Sequence, residues 1–376
     1  MAAWRNYAVL FNRTGVDVLW SVRGGSRWTQ NFQQRSGFRK VARKPESKKV
    51  EDELGHLDSS EVASNRQTSS PHWASAPPPP SSGSPRAFGR LVRPLLFTVG
   101  FTGCSFGSAA IWQYESLKSR VQSYFNELRA DWLERVRPQK RGDVRKEVNH
   151  WWNTLSEGQR TVTAILAANA VVFCCWRVPR LQRSMFKYFT ADSASRTLCA
   201  PMVLSTFSHV SFFHMAANMY VLWSFSTSAV SMLGREQFVA VYLSAGVIST
   251  FCSYVCKMAT GRFGPSLGAS GAIMTILAAV CTKIPEAKLA IIFLPMFTFS
   301  AANALKAIIA MDTAGLILGW RFFDHAAHLG GAMFGIWYIL FGHELIWKNR
   351  EPFVKFWHEL RTGRGGGNGG ERGGSA

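Results

Sequence analysis

Residues 268–272 read GASGA and residues 325–331 read HAAHLGG, and each run opens a long apolar segment. Crossing a bilayer gives Ser270 no reason to lie between Gly268 and Gly271, because glycine weakens a helix unless another group must come close to its backbone. His328 is costly in hydrocarbon unless it is paired, so an intramembrane histidine is a functional candidate by default. A serine set among glycines and a histidine before paired glycines, both at membrane depth, point to a nucleophile and its base.

Around these runs the 376-residue chain is 47% hydrophobic and only 18% charged, and its apolar residues cluster after residue 90. A helix needs about 20 apolar residues to cross a bilayer. Seven windows qualify, near 95–113, 161–177, 200–228, 237–258, 268–284, 298–319 and 326–342. The stretch from Lys288 to Leu318 is too long for one span and is interrupted by Pro295, so Leu289–Phe297 reads as an interfacial or re-entrant approach. The fold class is all-α and polytopic: a six-helix core over 161–345, preceded by one extra transmembrane helix over 91–113.

The net charge of +20 could indicate nucleic acid, but the basic residues lie in the N-terminal region and the loops, where topology and targeting explain them better. Before Glu46 the only acid is Asp17, against Arg5, Arg13, Arg23, Arg27, Arg35, Arg39, Lys40, Arg43 and Lys44. With Trp4, Leu10, Phe11 and Trp20 scattered among them and no compact apolar core, residues 1–50 have the pattern of a mitochondrial presequence. Residues 51–90, Ser- and Pro-rich with PPPP at 77–80, read as a disordered linker, and residues 346–376 as a basic, Gly-rich tail. The seven cysteines form no CxxC pair and are read as small packing residues. Within 114–160, Leu117, Val121, Tyr124, Phe125, Leu128 and Trp132 recur at helical spacing, giving an amphipathic helix on the membrane surface or docked on the core. Trp151 and Trp152 suit an aromatic belt, and Ser156 with Gln159 a capping box.

Counting spans from residue 161, Ser270 begins the fourth, His328 begins the sixth, and His214 and Asn218 lie early in the second. Spans of the same parity run in the same direction, so all four side chains fall toward one side of the membrane. His214 and Asn218, four apart in HMAAN, share a helical face and would suit an oxyanion site, to which the N-terminus of the fourth helix adds free N–H groups. Gly331 and Gly335 have GxxxG spacing, which with Gly268 and Gly271 lets two helices approach until a hydroxyl reaches an imidazole. The residues favour a Ser270–His328 dyad, with Asp312 and Asp324 as alternative orienters of the histidine. His325 and His328 could ligate a metal from one face, but no HExxH run and no further ligands at suitable spacing exist, so the reading is no metal and no cofactor. Asp312 is read as a hydrogen-bonded structural group and His209 as a satisfied structural histidine.

HxxxN at His214–Asn218, GxSG at Gly268–Gly271 and AHxxGxxxG at Ala327–Gly335, in that order, resemble the rhomboid family of intramembrane serine proteases, over roughly residues 160–345. The extra leading span, the import-like N-terminus and DHAAHLGG are similar to its mitochondrial branch. The resemblance implies Ser270 as nucleophile, His328 as general base, and His214 with Asn218 as oxyanion contributors. It also implies single-pass transmembrane substrates within the lipid bilayer of the mitochondrial inner membrane, and roles in quality control and apoptosis; a homo-oligomer is left open. Many members place a tyrosine four residues after the serine to pack on the histidine; here Met274 stands there. A non-catalytic helix-binding relative and a polytopic transporter, with His214, Asp312 and His328 along an ion path, are the rival readings.

Overall fold

The computed structural model describes residues 89–130, 143–291 and 294–362. The presequence, nearly all of the linker, Trp132 and residues 363–376 of the Gly-rich tail lie outside them. The described chain is mostly helical, with one hairpin and an isolated bridge between Ala191 and Ser266. α1 is Val92–Ala130, α2 Asp143–Thr154, α3 Glu157–Cys175, α4 Gln182–Tyr188, α5 Cys199–Leu204, α6 Phe212–Leu233, α7 Arg235–Thr260 and α8 Ser270–Lys283. The strands β1 (Lys288–Ile291) and β2 (Leu294–Ser300) follow, then α9 (Ala301–Leu318), α10 (His325–Trp337, winding on as a π-helix over Tyr338–Trp347) and α11 (Glu351–Thr362).

Among the described residues, five helical stretches are long and apolar enough to cross a membrane: Val92–Ser123, Glu157–Cys175, Arg235–Thr260, Ala301–Leu318 and His325–Thr362. The other two expected spans fall on α6 and α8. α8 has only 14 residues, which at 1.5 Å per residue is about 21 Å against a hydrocarbon core of about 30 Å. The span expected over 200–228 is broken: α5 gives way to a 3-10 turn at Ser205–Phe207, and α6 begins only at Phe212. The polar run from Ser205 to Ser211 explains the break, since its side chains satisfy backbone and ring donors outside a helix. Ser208 Oγ accepts from Trp176 Nε1–H at 2.8 Å, and Ser211 Oγ caps α6 by accepting from His214 N–H at 3.5 Å. The approach expected at Leu289–Phe297 is an antiparallel hairpin, so the fold is all-α only apart from these two strands.

α7 is the central post. It packs against α1, α8 and α10, and small polar residues thread its buried faces. In a low-dielectric interior their hydroxyls need partners. Ser249 and Thr250 find one in the Gly246 carbonyl, at 3.1 and 2.8 Å. The core around this post comprises Val162, Leu222, Phe238, Tyr242, Ile276 and Tyr338. The extra helix α1 belongs to it, contributing Phe106, Ala109 and Ala110, while Leu117 and Val121 are exposed. The expected amphipathic helix is therefore not separate at its start but continues α1. Midway along its length α1 is clasped to α11 and the turn before it by Tyr114–His358 at 2.5 Å, Gln113–Arg350 at 3.0 Å and a Glu115–Arg361 ion pair. Ser156 and Gln159 close the expected capping box on α3.

Candidate active site

The sequence around Ser270 forces a tight entry into α8. Gly268 has φ of 127°, a conformation side-chain-bearing residues rarely adopt, and a Cβ there would lie 2.9 Å from His214 Cε1. This turn places Ser270 as the first residue of α8. The first N–H groups of a helix have no intrahelical acceptor; Ile273 N–H is taken up by the Ala269 carbonyl at 3.0 Å. The positive end of the helix thus lies at the serine.

α10 crosses α8 at glycines. A Cβ on Gly331 would run into the Gly271 carbonyl, and one on Gly335 into the Thr275 carbonyl. Thr275 Oγ1 donates to the Gly331 carbonyl at 2.7 Å, pinning the crossing. On the other side, Gly271 faces Ser249 and Gly330 faces Cys252 of α7. At this separation His328 Nε2 stands 2.9 Å from Ser270 Oγ. The start of α10 is fixed by Asp324, which accepts from Ala327 N–H at 3.1 Å and from Ser253 Oγ at 2.5 Å, and pairs with Lys257 of α7 at 3.1 Å. Burial acts to raise the Asp324 carboxyl, but the Lys257 charge and the donated hydrogen bonds hold it below the ordinary carboxylate value. Asp324 therefore caps and anchors the helix and is not the residue behind the catalytic-type histidine.

That residue is Asp312, from α9. Its Oδ1 lies 3.1 Å from His328 Nδ1 and 2.6 Å from His325 Nδ1, all three side chains being buried. With the Nδ1 proton directed to the carboxylate, the lone pair of His328 Nε2 faces the serine hydroxyl. The geometry runs Ser270–His328–Asp312, one member longer than the dyad read from the sequence. Asp312 was one of two carboxylates read there as possible orienters; the α9–α10 turn, which folds a residue 16 positions earlier back onto the histidine, decides between them.

The other residues singled out from the sequence sit nearby with different partners. The His214 ring lies against Gly268 and edge-on to His209 at 5.0 Å. The Asn218 amide donates to His209 Nε2 at 2.9 Å, and Ala269 N–H points to the same nitrogen at 3.4 Å. His209, wholly buried, thus ties α6 to the residue before Ser270 through Nε2, but its Nδ1 has no partner, so it is not the fully satisfied histidine expected from the sequence. Two rings stand beside His328: Phe323, 6.0 Å away and tilted, from just before α10, and His325, 6.3 Å away and edge-on.

A half-buried serine, a buried imidazole and a buried carboxylate in line within a polytopic helical fold have the arrangement of an intramembrane hydrolase of the serine type. The comparisons with known proteins agree with that class. Residues 197–345 match the Rhomboid domain model. The chain is 69% identical over 343 residues to the Presenilin-associated rhomboid-like protein, mitochondrial, of Bos taurus, covering 90% of this chain and 88% of that one. It is 66% identical over 355 residues to the protein of that name from Homo sapiens, covering 94% and 89%. It is also 38% identical over 183 residues to the Rhomboid protein 1, mitochondrial, of Saccharomyces cerevisiae, covering 47% and 53%. The chain belongs to the rhomboid family, as a multi-pass mitochondrial membrane protein of the rhomboid-protease type.

Proposed function

We propose that the chain is an intramembrane serine endopeptidase of the mitochondrial inner membrane that cleaves single-pass transmembrane helices. The observation that carries this is the 2.9 Å approach of His328 Nε2 to Ser270 Oγ across a glycine-lined helix crossing. A substrate helix enters laterally and unwinds near its end, since a helical peptide bond is shielded from attack. Ser270 Oγ attacks the carbonyl while His328 Nε2 takes its proton. The proton then passes to the leaving amine, and water hydrolyses the acyl-enzyme by the same route.

The free N–H groups at the start of α8 would stabilise the oxyanion as it develops. His214 and Asn218 line the approach, and the bond from Asn218 to His209 leaves its amide a second proton to donate. Asp312 holds His328 in the tautomer this needs. Residues 1–50 would act as the import presequence and 51–90 as a linker, and roles in quality control and apoptosis follow the family resemblance.

Reconstitution of the purified chain in liposomes with a panel of single-pass mitochondrial helices tests this. Wild type should cleave, while Ser270→Ala and His328→Ala should bind without cleaving. Mutants that cleave like wild type would end the protease reading, and helix binding without cleavage in wild type would favour a non-catalytic helix-binding role.

A further inference from the structure

A serine relay needs one imidazole on its carboxylate, yet two converge on the same oxygen of Asp312. His325 Nδ1 is the nearer, at 2.6 Å against 3.1 Å for His328. His325 is 4% exposed and has no second polar partner, since its Nε2 abuts Gly315, where any Cβ would collide with the ring. The fold thus makes room for a second buried imidazole that the proposed chemistry does not use.

The ligand atoms that Asp312, His325 and His328 offer all lie within 4.8 Å of one another. Tetrahedral zinc, with bonds of about 2.0–2.2 Å, sets its ligand atoms about 3.3 Å apart. The two edges from Oδ1, 2.6 and 3.1 Å, are near that spacing, and the edge between the two imidazoles lies within 4.8 Å, so a cation would draw the histidines together. The sequence offered only the two histidines; Asp312 is the third ligand that was missing.

Resting on the Ser270–His328 reading, we infer that Asp312, His325 and His328 form an inhibitory site for a zinc-class divalent cation. One carboxylate oxygen and two imidazoles suit zinc, with the fourth position left to solvent. The inhibition follows from proton placement. A neutral imidazole carries one proton; in the relay it sits on His328 Nδ1 and Nε2 accepts from Ser270. A cation on Nδ1 takes that lone pair, so the proton moves to Nε2, which then donates to Ser270 Oγ and can no longer deprotonate it. In each imidazole the Nδ1–H bond is exchanged for an Nε2–H bond, so no net proton is lost and chelation reverses the change.

The test uses the full chain in liposomes with free Zn2+ set by a metal buffer. Wild-type cleavage should fall at least tenfold as zinc rises and recover with EDTA. In His325→Asn the amide nitrogen stands near the position of Nδ1, so it keeps a donor to Asp312 while offering a poor metal ligand. This variant should still cleave, with sensitivity to zinc lowered at least tenfold. Binding is read separately on Ser270→Ala with Co2+ as a spectroscopic substitute: one ion per chain, tetrahedral bands, and no thiolate charge-transfer band. Equal zinc sensitivity in wild type and His325→Asn, thiolate bands from a cysteine site, or no bound ion would overturn the inference. Failure of wild type to cleave any helix would instead strike the protease reading, and leaves the cobalt result on Ser270→Ala to decide the site.

Discussion

Gly331→Ala should disable cleavage through a single methyl group. In the fold this Cβ falls well inside contact with the Gly271 carbonyl oxygen and 3.0 Å from its carbon. The neighbour is backbone, so relief requires α8 and α10 to separate by about 1 Å, a misplacement that costs on the order of a hundredfold in rate. The Ser270–His328 distance of 2.9 Å would then pass the hydrogen-bond limit near 3.5 Å. A hundredfold loss of kcat corresponds to about 2.7 kcal/mol in the barrier. Gly335→Ala provides the internal control. It collides with the Thr275 carbonyl in the same way, but about 6 Å further along the helix, away from the serine. Both variants should lose about 1–3 kcal/mol of stability by overpacking, read as a shift in thermal unfolding in detergent. Only Gly331→Ala should show the large fall in kcat for a helix substrate in liposomes, with KM little changed. Equal kcat losses in the two, or a Gly331→Ala enzyme within threefold of wild type, would refute the argument that this crossing sets the distance.

Asp312→Asn keeps a polar group of the same shape but lets its amide donate, so His328 is no longer held in one tautomer; kcat should fall about 10²–10⁴-fold in a single-turnover assay, with helix binding retained. Gly268→Ala meets both a strained φ of 127° and the His214 ring, and should lower activity more than stability, compared by cleavage and by thermal unfolding. Because the Asp324 carboxyl is held below its ordinary value of 3.8, its stabilising effect is complete above about pH 4 and lost as pH falls through the lowered value. Wild type should therefore lose stability between pH 6 and pH 3, and Asp324→Asn should narrow that gap, measured as unfolding temperature against pH.

How much was legible from the sequence depended on the range of the interaction. The capping box at Ser156, the glycine crossing of Gly331 and Gly271, and the facing of Ser270 and His328 follow from local spacing and span parity, and the fold shows these contacts. The break after Ser205 was hidden because apolar residues on both sides kept the average high while a few serines and a histidine ended the helix. Asn218 lies one turn after His214 on α6, but its bond to His209 depends on the path of the preceding loop, which periodicity does not encode. The pairing of His325 with Asp312 was likewise out of reach, since it requires the turn between α9 and α10 and the space above Gly315.

The central claim is that His328 activates Ser270, and covalent labelling tests it most directly. The purified chain would be treated with a fluorophosphonate and the adduct mapped by peptide mass spectrometry in wild type, His328→Ala and Ser270→Ala. A single adduct on Ser270, at least a hundredfold slower to form in His328→Ala and absent from Ser270→Ala, is the predicted result. Labelling of Ser270 at the same rate without His328, or of a different residue in wild type, would contradict it.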